Sequence, residues 1–286
     1  MRLSHRLALT FALLTAANEA LAQDAAPPPV TPAVEPEPAM KQPIAYVERP
    51  LTLPAMALSP QLDAAIARAD FGGNASTAFQ MELAGSFGIT DDLMVEARPG
   101  GFIAGDVDFD YTRFQLGVTY RFLKDPVEIG ARFRFQIDNS ATLAFNPGLP
   151  VRIHAGKLVR IDTGVNFTGA VPTDGGDAVA ALSGIATDFL KPAEAGIPLD
   201  VSFQIIDPVF VGLSTGYGIL SFEEPADFSY MPLGFFAGGT VPGDEGPLAD
   251  IGASFGFPFF LLGASNENPN TELWLIGLTV RGFLYL

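Results

Sequence analysis

Between Thr112 and Ile137 the chain alternates apolar and polar side chains with almost no exception. Thr112, Phe114, Leu116, Val118, Tyr120 and Phe122 oppose Arg113, Gln115, Gly117, Thr119 and Arg121. After a break, Val127, Ile129, Ala131, Phe133, Phe135 and Ile137 oppose Glu128, Gly130, Arg132, Arg134 and Gln136. A period of two over ten or more residues predicts β-strands with one apolar and one polar face. Strands in globular domains run only about 5–6 residues, whereas about 9–11 tilted residues cross a bilayer. The length therefore predicts an apolar face that meets lipid.

The same pattern recurs from residue 51 to the end and predicts about twelve strands, with ten or fourteen as alternatives. They fall near 52–70, 77–89, 93–104, 109–123, 127–137, 150–156, 160–170, 198–206, 209–221, 230–241, 250–262 and 272–286. The spacers 90–92, 124–126, 157–159 and 207–208 are tight, while those between them are generally longer, above all 171–197. Short turns at one end and long loops at the other mark an antiparallel transmembrane β-barrel. An even strand number places both chain ends at the short-turn end. Aromatic residues cluster at both strand ends, including Phe109, Tyr111, Tyr230 and Trp274 at one and Tyr120, Phe122, Phe210 and Tyr285 at the other. That is where membrane-interface girdles belong.

The first residues predict export. Arg2 and Arg6 precede the apolar run Leu7–Ala17, and Ala20-Leu21-Ala22 supplies a small-x-small cleavage site, so residues 1–22 read as a secretory signal peptide. Residues 23–50 are rich in proline and predict an extended, disordered periplasmic tether. The barrel is expected over 51–286. The longest later apolar run, Ile251–Ala264, is broken by Pro258 and several glycines, so any membrane crossing is made by strands.

Three stretches carry a family resemblance: Arg49-Pro-Leu-Thr-Leu-Pro54, Phe87-Gly-Ile-Thr-Asp-Asp-Leu-Met-Val-Glu-Ala97, and the ending Leu278-Thr-Val-Arg-Gly-Phe-Leu-Tyr-Leu286. They resemble the uncharacterised, porin-like or transporter-like β-barrels of Gram-negative outer membranes, in which a Gly-hydrophobic-Thr-Asp turn is a common periplasmic hairpin. The resemblance implies an outer-membrane location, insertion by the barrel-assembly machinery and contact with outer-membrane lipid. Such barrels usually end on an aromatic residue, and this chain ends on Leu286 after Tyr285.

Composition narrows the function. With no cysteine there is no disulfide, thiolate zinc site or cysteine nucleophile. A formal charge of −16 argues against a nucleic-acid partner. Gly212-Leu213-Ser214-Thr215-Gly216 matches a nucleophile signature, but it falls inside an expected strand and no histidine follows it. Asp106, Asp108 and Asp110 begin like a calcium loop that then lacks its glycine and its closing glutamate. The expectation is therefore a non-enzyme without cofactor or metal. The long loops carry acids such as Asp174, Asp177, Glu223 and Glu224 almost without bases.

The polar faces hold the candidate site. Glu82, Glu96, Arg98, Arg113, Arg121, Glu128, Arg132, Arg134, Arg152, His154, Arg160 and Asp162 are expected to line the lumen on one wall. The facing wall is mostly small, with Ser202, Gly212, Ser214, Gly252, Ser254, Gly277 and Thr279. Arginine exceeds carboxylate in this set, which favours a hydrated lumen biased toward anions. Two functions follow: a narrow passive channel for small polar or anionic solutes, or a closed structural or adhesive barrel working through its acidic loops. The sequence leaves the oligomeric state open.

Overall fold

The computed structural model describes residues 42–71, 74–105, 110–111, 113–138, 143–171, 195–220, 225, 229–244, 246–263 and 269–286. Twelve long antiparallel strands dominate: β1 (Ala57–Phe71), β2 (Asn74–Gly88), β3 (Leu93–Gly105), β4 (Arg113–Leu123), β5 (Val127–Asp138), β6 (Leu143–Ala155), β7 (Val159–Phe167), β8 (Ala195–Ile206), β9 (Val209–Ile219), β10 (Ser229–Gly243), β11 (Gly246–Leu262) and β12 (Leu273–Gly282). Each pairs with its sequence neighbours, and β12 returns to β1 in a register running from Leu273↔Ala69 to Arg281↔Gln61. The sheet is thus a closed barrel with no free edge. Short pieces extend it: Asp110–Tyr111 pairs with β3, Gly169–Val171 with β6, and Leu284–Tyr285 with β1.

Polarity is inverted relative to a water-soluble protein. Leu62, Leu83, Leu116, Phe133, Phe203, Phe235, Ile251 and Leu278 are exposed on the outside, while Gln80, Glu82, Gln115, Arg134, Arg160 and Ser202 are buried. An apolar exterior around a polar interior is the arrangement a bilayer selects, because lipid hydrates nothing and the closed ladder satisfies the backbone internally.

Two boundaries differ from the sequence expectation for clear reasons. β6 begins at Leu143 rather than near 150, because Pro147, Gly148 and Pro150 mask its alternation. The ladder to β5 tolerates them by skipping: Arg132 pairs with Gly148 and pairing resumes at Ile129↔Val151, leaving Leu149 and Pro150, which has no N–H, in a gap of the ladder. β1 begins at Ala57 rather than 52, because residues 42–55 lie outside the sheet. Only residues 72–73 separate β1 from β2 and 139–142 separate β5 from β6, so those two connections are shorter than expected.

The small-residue wall is not bare. In the β9–β10 ladder, Gly212 lies opposite Phe236, Gly238 opposite Phe210, and Gly218 opposite Tyr230. In each pair the ring lies where the glycine's Cβ would be. Glycine opposite an aromatic residue lets the ring lie flat across the strand. Phe210 and Tyr230 are consequently inside, 5% and 2% exposed, and not in the interfacial girdles to which their strand-end positions point.

Candidate functional site: the lumen and the segment inside it

Residues 42–55 run inside the short-turn mouth and touch the hairpins in reverse chain order. Gln42 starts beside β11, where a Cβ on Gly246 would lie 3.1 Å from its carbonyl oxygen. A single 3-10 turn, Tyr46–Glu48, then faces β7 to β9. Tyr46 stacks on Phe210 with centroids 3.9 Å apart and planes 11° apart, and the Arg160 guanidinium lies 3.9 Å from the same ring. Arg160 Nη1 donates to the Tyr46 carbonyl at 2.6 Å, and Val47 N–H donates to Gln204 Oε1 at 3.2 Å. His154 Nδ1 lies 2.8 Å from the Val47 carbonyl. Arg152 donates to the carbonyls of Arg49 and Pro50, and the Leu51 N–H donates to Glu128. Thr52 Oγ1 and the Ala55 N–H then bind Asp91 at 2.6 and 2.8 Å before the chain enters β1.

Arg49 closes this arc from within. Its guanidinium binds both oxygens of Asp250 on β11, donates to Thr240 Oγ1 on β10 at 2.8 Å, and returns to the carbonyls of Pro43 and Ile44, both at 3.0 Å. It also lies over the rings of Tyr46 and Phe283, at 5.5 and 5.2 Å. Both partners of the ion pair are nearly buried, with side chains 4% and 9% exposed. The last nine residues of the expected 23–50 tether, 42–50, are therefore packed against the wall. Their backbone amides and carbonyls match its polar side chains one by one, which the prolines alone do not reveal. Residues 23–41 lie outside the described residues.

Eleven of the twelve lumen candidates have described side chains; that of Arg113 does not. Arg98 pairs with Glu82 at 2.9 Å, and Arg134 with Glu96. Arg121 bridges Glu128 at 3.1 Å and Asp92 at 2.9 Å. Arg152 and Arg160 share Asp162, at 2.5 and 2.7 Å. Arg132 donates to Asn166, and His154 Nε2 stands 3.7 Å from Glu128. In the β2–β3 turn, burial works against the Asp92 carboxylate, but bonds from Lys124 and Arg121 hold its pKa below the usual range.

The alternation missed several members of this network. Arg49 and Asp250 form its cross-lumen pair, and Asp200 accepts a hydrogen bond from Ser214. Asp63 accepts bonds from Thr279 and Gln61. These extra acids move the lumen toward charge balance, so the general arginine excess expected from sequence becomes a local one. The parity of Val280 as a lipid-facing residue already implied an inward Arg281. Ser214, the serine of the nucleophile-like motif, lies mid-strand in β9. The calcium-like stretch 106–109 and the segment 172–194 lie outside the described residues.

The segment divides the lumen space. A cavity of about 220 Å³ lies between it and the strands and is lined by Arg49, Arg132, Arg134, Arg152, Arg160 and Arg281, with Glu96 as its one carboxylate among the described residues. A second, also about 220 Å³, lies against Phe210, Phe236, Gly252 and Thr279, and shares Tyr46 and Arg281 with the first. A third, about 530 Å³, lies among the turn residues Lys124, Asp125 and Gly156 and the outer side of Glu48 and Pro54.

Where the segment meets the wall, Gly88 is required. A Cβ there would stand 1.9 Å from the Pro54 carbonyl oxygen. Gly88→Val is therefore expected to lift the segment off the wall while the ladder of β2 remains. A glutamate-specific protease should then cut after Glu48 in the folded variant and not in the wild type. Equal resistance in both would show that the docking tolerates the bulk.

Together these features define a closed, twelve-stranded antiparallel transmembrane barrel with a polar, ion-paired lumen. Solved structures share this architecture. An outer-membrane channel from Pseudomonas putida F1 superposes with a TM-score of 0.53 at 12% identity, covering 82% of this chain and 97% of that one. The NanC porin gives 0.52 at 9% identity, covering 78% and 98%. The KdgM porin, determined in complex with disordered oligogalacturonate, gives 0.51 at 8% identity over the same shares. At these identities the likeness is one of fold. No family model matches the chain, and no curated protein matches it.

Proposed function

We propose that the protein is a narrow passive channel of a Gram-negative outer membrane, reached by signal-peptide export, that admits small polar solutes with a preference for anions. The observation that carries the reading is the arginine-lined cavity beside residues 42–53. Guanidinium groups along a narrow passage raise the local concentration of anions and lower the barrier to their entry. The shared fold of solved porins and channels supports a conducting role, with residues 42–55 narrowing the periplasmic mouth.

A closed barrel is the second reading, favoured by the hydrogen bonds that tie residues 42–55 to hairpins around the mouth. One experiment separates them: single-channel recording of the refolded mature protein in a planar bilayer under a salt gradient. The channel reading expects steady open levels and an anion-selective reversal potential. Arg132→Glu or Arg134→Glu is expected to shift that potential toward cation selectivity. Silence from a correctly folded barrel would overturn it in favour of the closed form.

A further inference from the structure

Most guanidinium groups described in the lumen are matched to carboxylates, and Arg281 is not. It is flanked in the sheet by Asp250 on β11 and Gln61 on β1. Side chains directly opposite in an antiparallel ladder share a face and stand within reach of one another, so Asp250 is the expected partner. It is already taken: both its oxygens bind Arg49, and Oδ1 also accepts from Thr240 at 2.8 Å. Arg281 turns instead to Gln61, with Nε and Nη2 on the neutral Oε1 at 2.9 and 2.6 Å. Among the described residues no carboxylate lies within ion-pair distance of it, and its remaining N–H donors are unspent.

A second observation points into the same space. Ser59 lines the arginine cavity, is 3% exposed, and its hydroxyl has no hydrogen-bond partner. A buried hydroxyl left unpaired in a built cavity is unfavourable unless something fills the place of the partner. Arg281 supplies a charge without a counter-charge, and Ser59 supplies a donor without an acceptor. At about 220 Å³ the cavity is smaller than the roughly 300–1,000 Å³ of pockets for drug-sized ligands.

We propose that this cavity is a binding site for a small organic carboxylate, in which the free edge of the Arg281 guanidinium and the Ser59 hydroxyl hold one carboxylate group. A planar guanidinium fork matches a carboxylate with two parallel bonds. The inward segment switches the site on. While Arg49 holds Asp250, Arg281 stays available; when the segment leaves, Asp250 is free to neutralise Arg281 across the ladder. The inference deepens the anion reading of the channel, but it concerns binding and is tested without any passage across a membrane.

The test is calorimetric titration of the folded, detergent-solubilised barrel with succinate at low salt, with the neutral succinamide as the comparison. Saturable succinate binding without succinamide binding is expected. Arg281→Gln should weaken it at least tenfold, and Lys124→Gln, in a turn at the mouth, should leave it unchanged. Arg49→Gln should also weaken it, because Asp250 then pairs with Arg281, and Asp250→Asn in the Arg49→Gln background should restore it. Should Arg281→Gln fail to fold, Arg281→Lys keeps the charge and loses the fork, and a several-fold loss is expected. Wild-type affinity in the Arg281 variants, or no binding to the folded wild type, would overturn the proposal even if the barrel conducts. Binding by a barrel that is silent in a bilayer would uphold it and reject conduction alone.

Discussion

If the barrel conducts as proposed, deleting residues 42–52 is expected to raise the single-channel conductance of the refolded barrel by about threefold or more, since this removes the side chains and backbone packed inside its short-turn mouth. The barrel should survive the deletion. β1 begins at Ala57, and Leu53, which packs in a small buried cluster with Ala57 and Phe283, is retained. What is lost is the arc itself: the Tyr46 stack on Phe210, the Arg49 pair with Asp250 and the backbone bonds to Gln204 and Glu128. Anion preference should fall at the same time, because Arg49 leaves the lumen while Asp250 stays. Arg49→Ala alone should give a smaller rise, with more frequent transitions between levels, as the arc loses its one attachment to β10 and β11 through a side chain. A folded deletion variant with wild-type conductance would show that the segment does not restrict the path.

Glu128→Ala is expected to be the most destabilising single substitution in the lumen, at about 3–5 kcal/mol, the usual cost of stripping one partner from a buried ion pair. Glu128 receives Arg121 at 3.1 Å and the Leu51 N–H, and its side chain is 6% exposed. Removing it takes one of two carboxylates from a buried guanidinium, which keeps only Asp92, and leaves a backbone donor unpaired. Lys124→Ala, which breaks an ion pair to Asp92 on a side chain 57% exposed, should cost less than about 1 kcal/mol. The comparison is made by urea unfolding of the barrel in lipid vesicles. Similar midpoints for the two variants would mean that water enters the lumen freely enough to solvate Arg121.

Much of the barrel was readable because lipid imposes a strict two-residue period. Leu116 and Val118 are exposed outside while Gln115 and Thr119 are buried inside, as their alternation implies. The period weakens where proline or glycine interrupts it, so Leu143–Leu149 was hidden by Pro147 and Gly148. Aromatic side chains were harder to place, since a ring at a strand end suits either the membrane interface or a glycine across the lumen. Phe210 and Tyr230 took the second option because Gly238 and Gly218 face them. Residues 42–50 were least readable. A stretch with Gln42, Glu48 and Arg49 scattered among apolar residues and two prolines has no period, and only the wall provides the complement that orders it. The pairing Arg49–Asp250 spans 201 positions in the chain, beyond any local signal.

The direction in which residues 42–55 travel around the mouth bears on the order of assembly. This segment leaves the ribosome before any strand, yet its anchors, traced back from Ala55 toward Gln42, lie on hairpins made progressively later, ending with Asp250 on β11 and the Phe283 ring that follows β12. None of those anchors exists together until the final strand has met the first. Contacts so distant in sequence form late, since chain closure must precede them. The first part of the barrel unit to be synthesised is thus the last to find its place, because only a completed circle of strands holds all of its anchors at once.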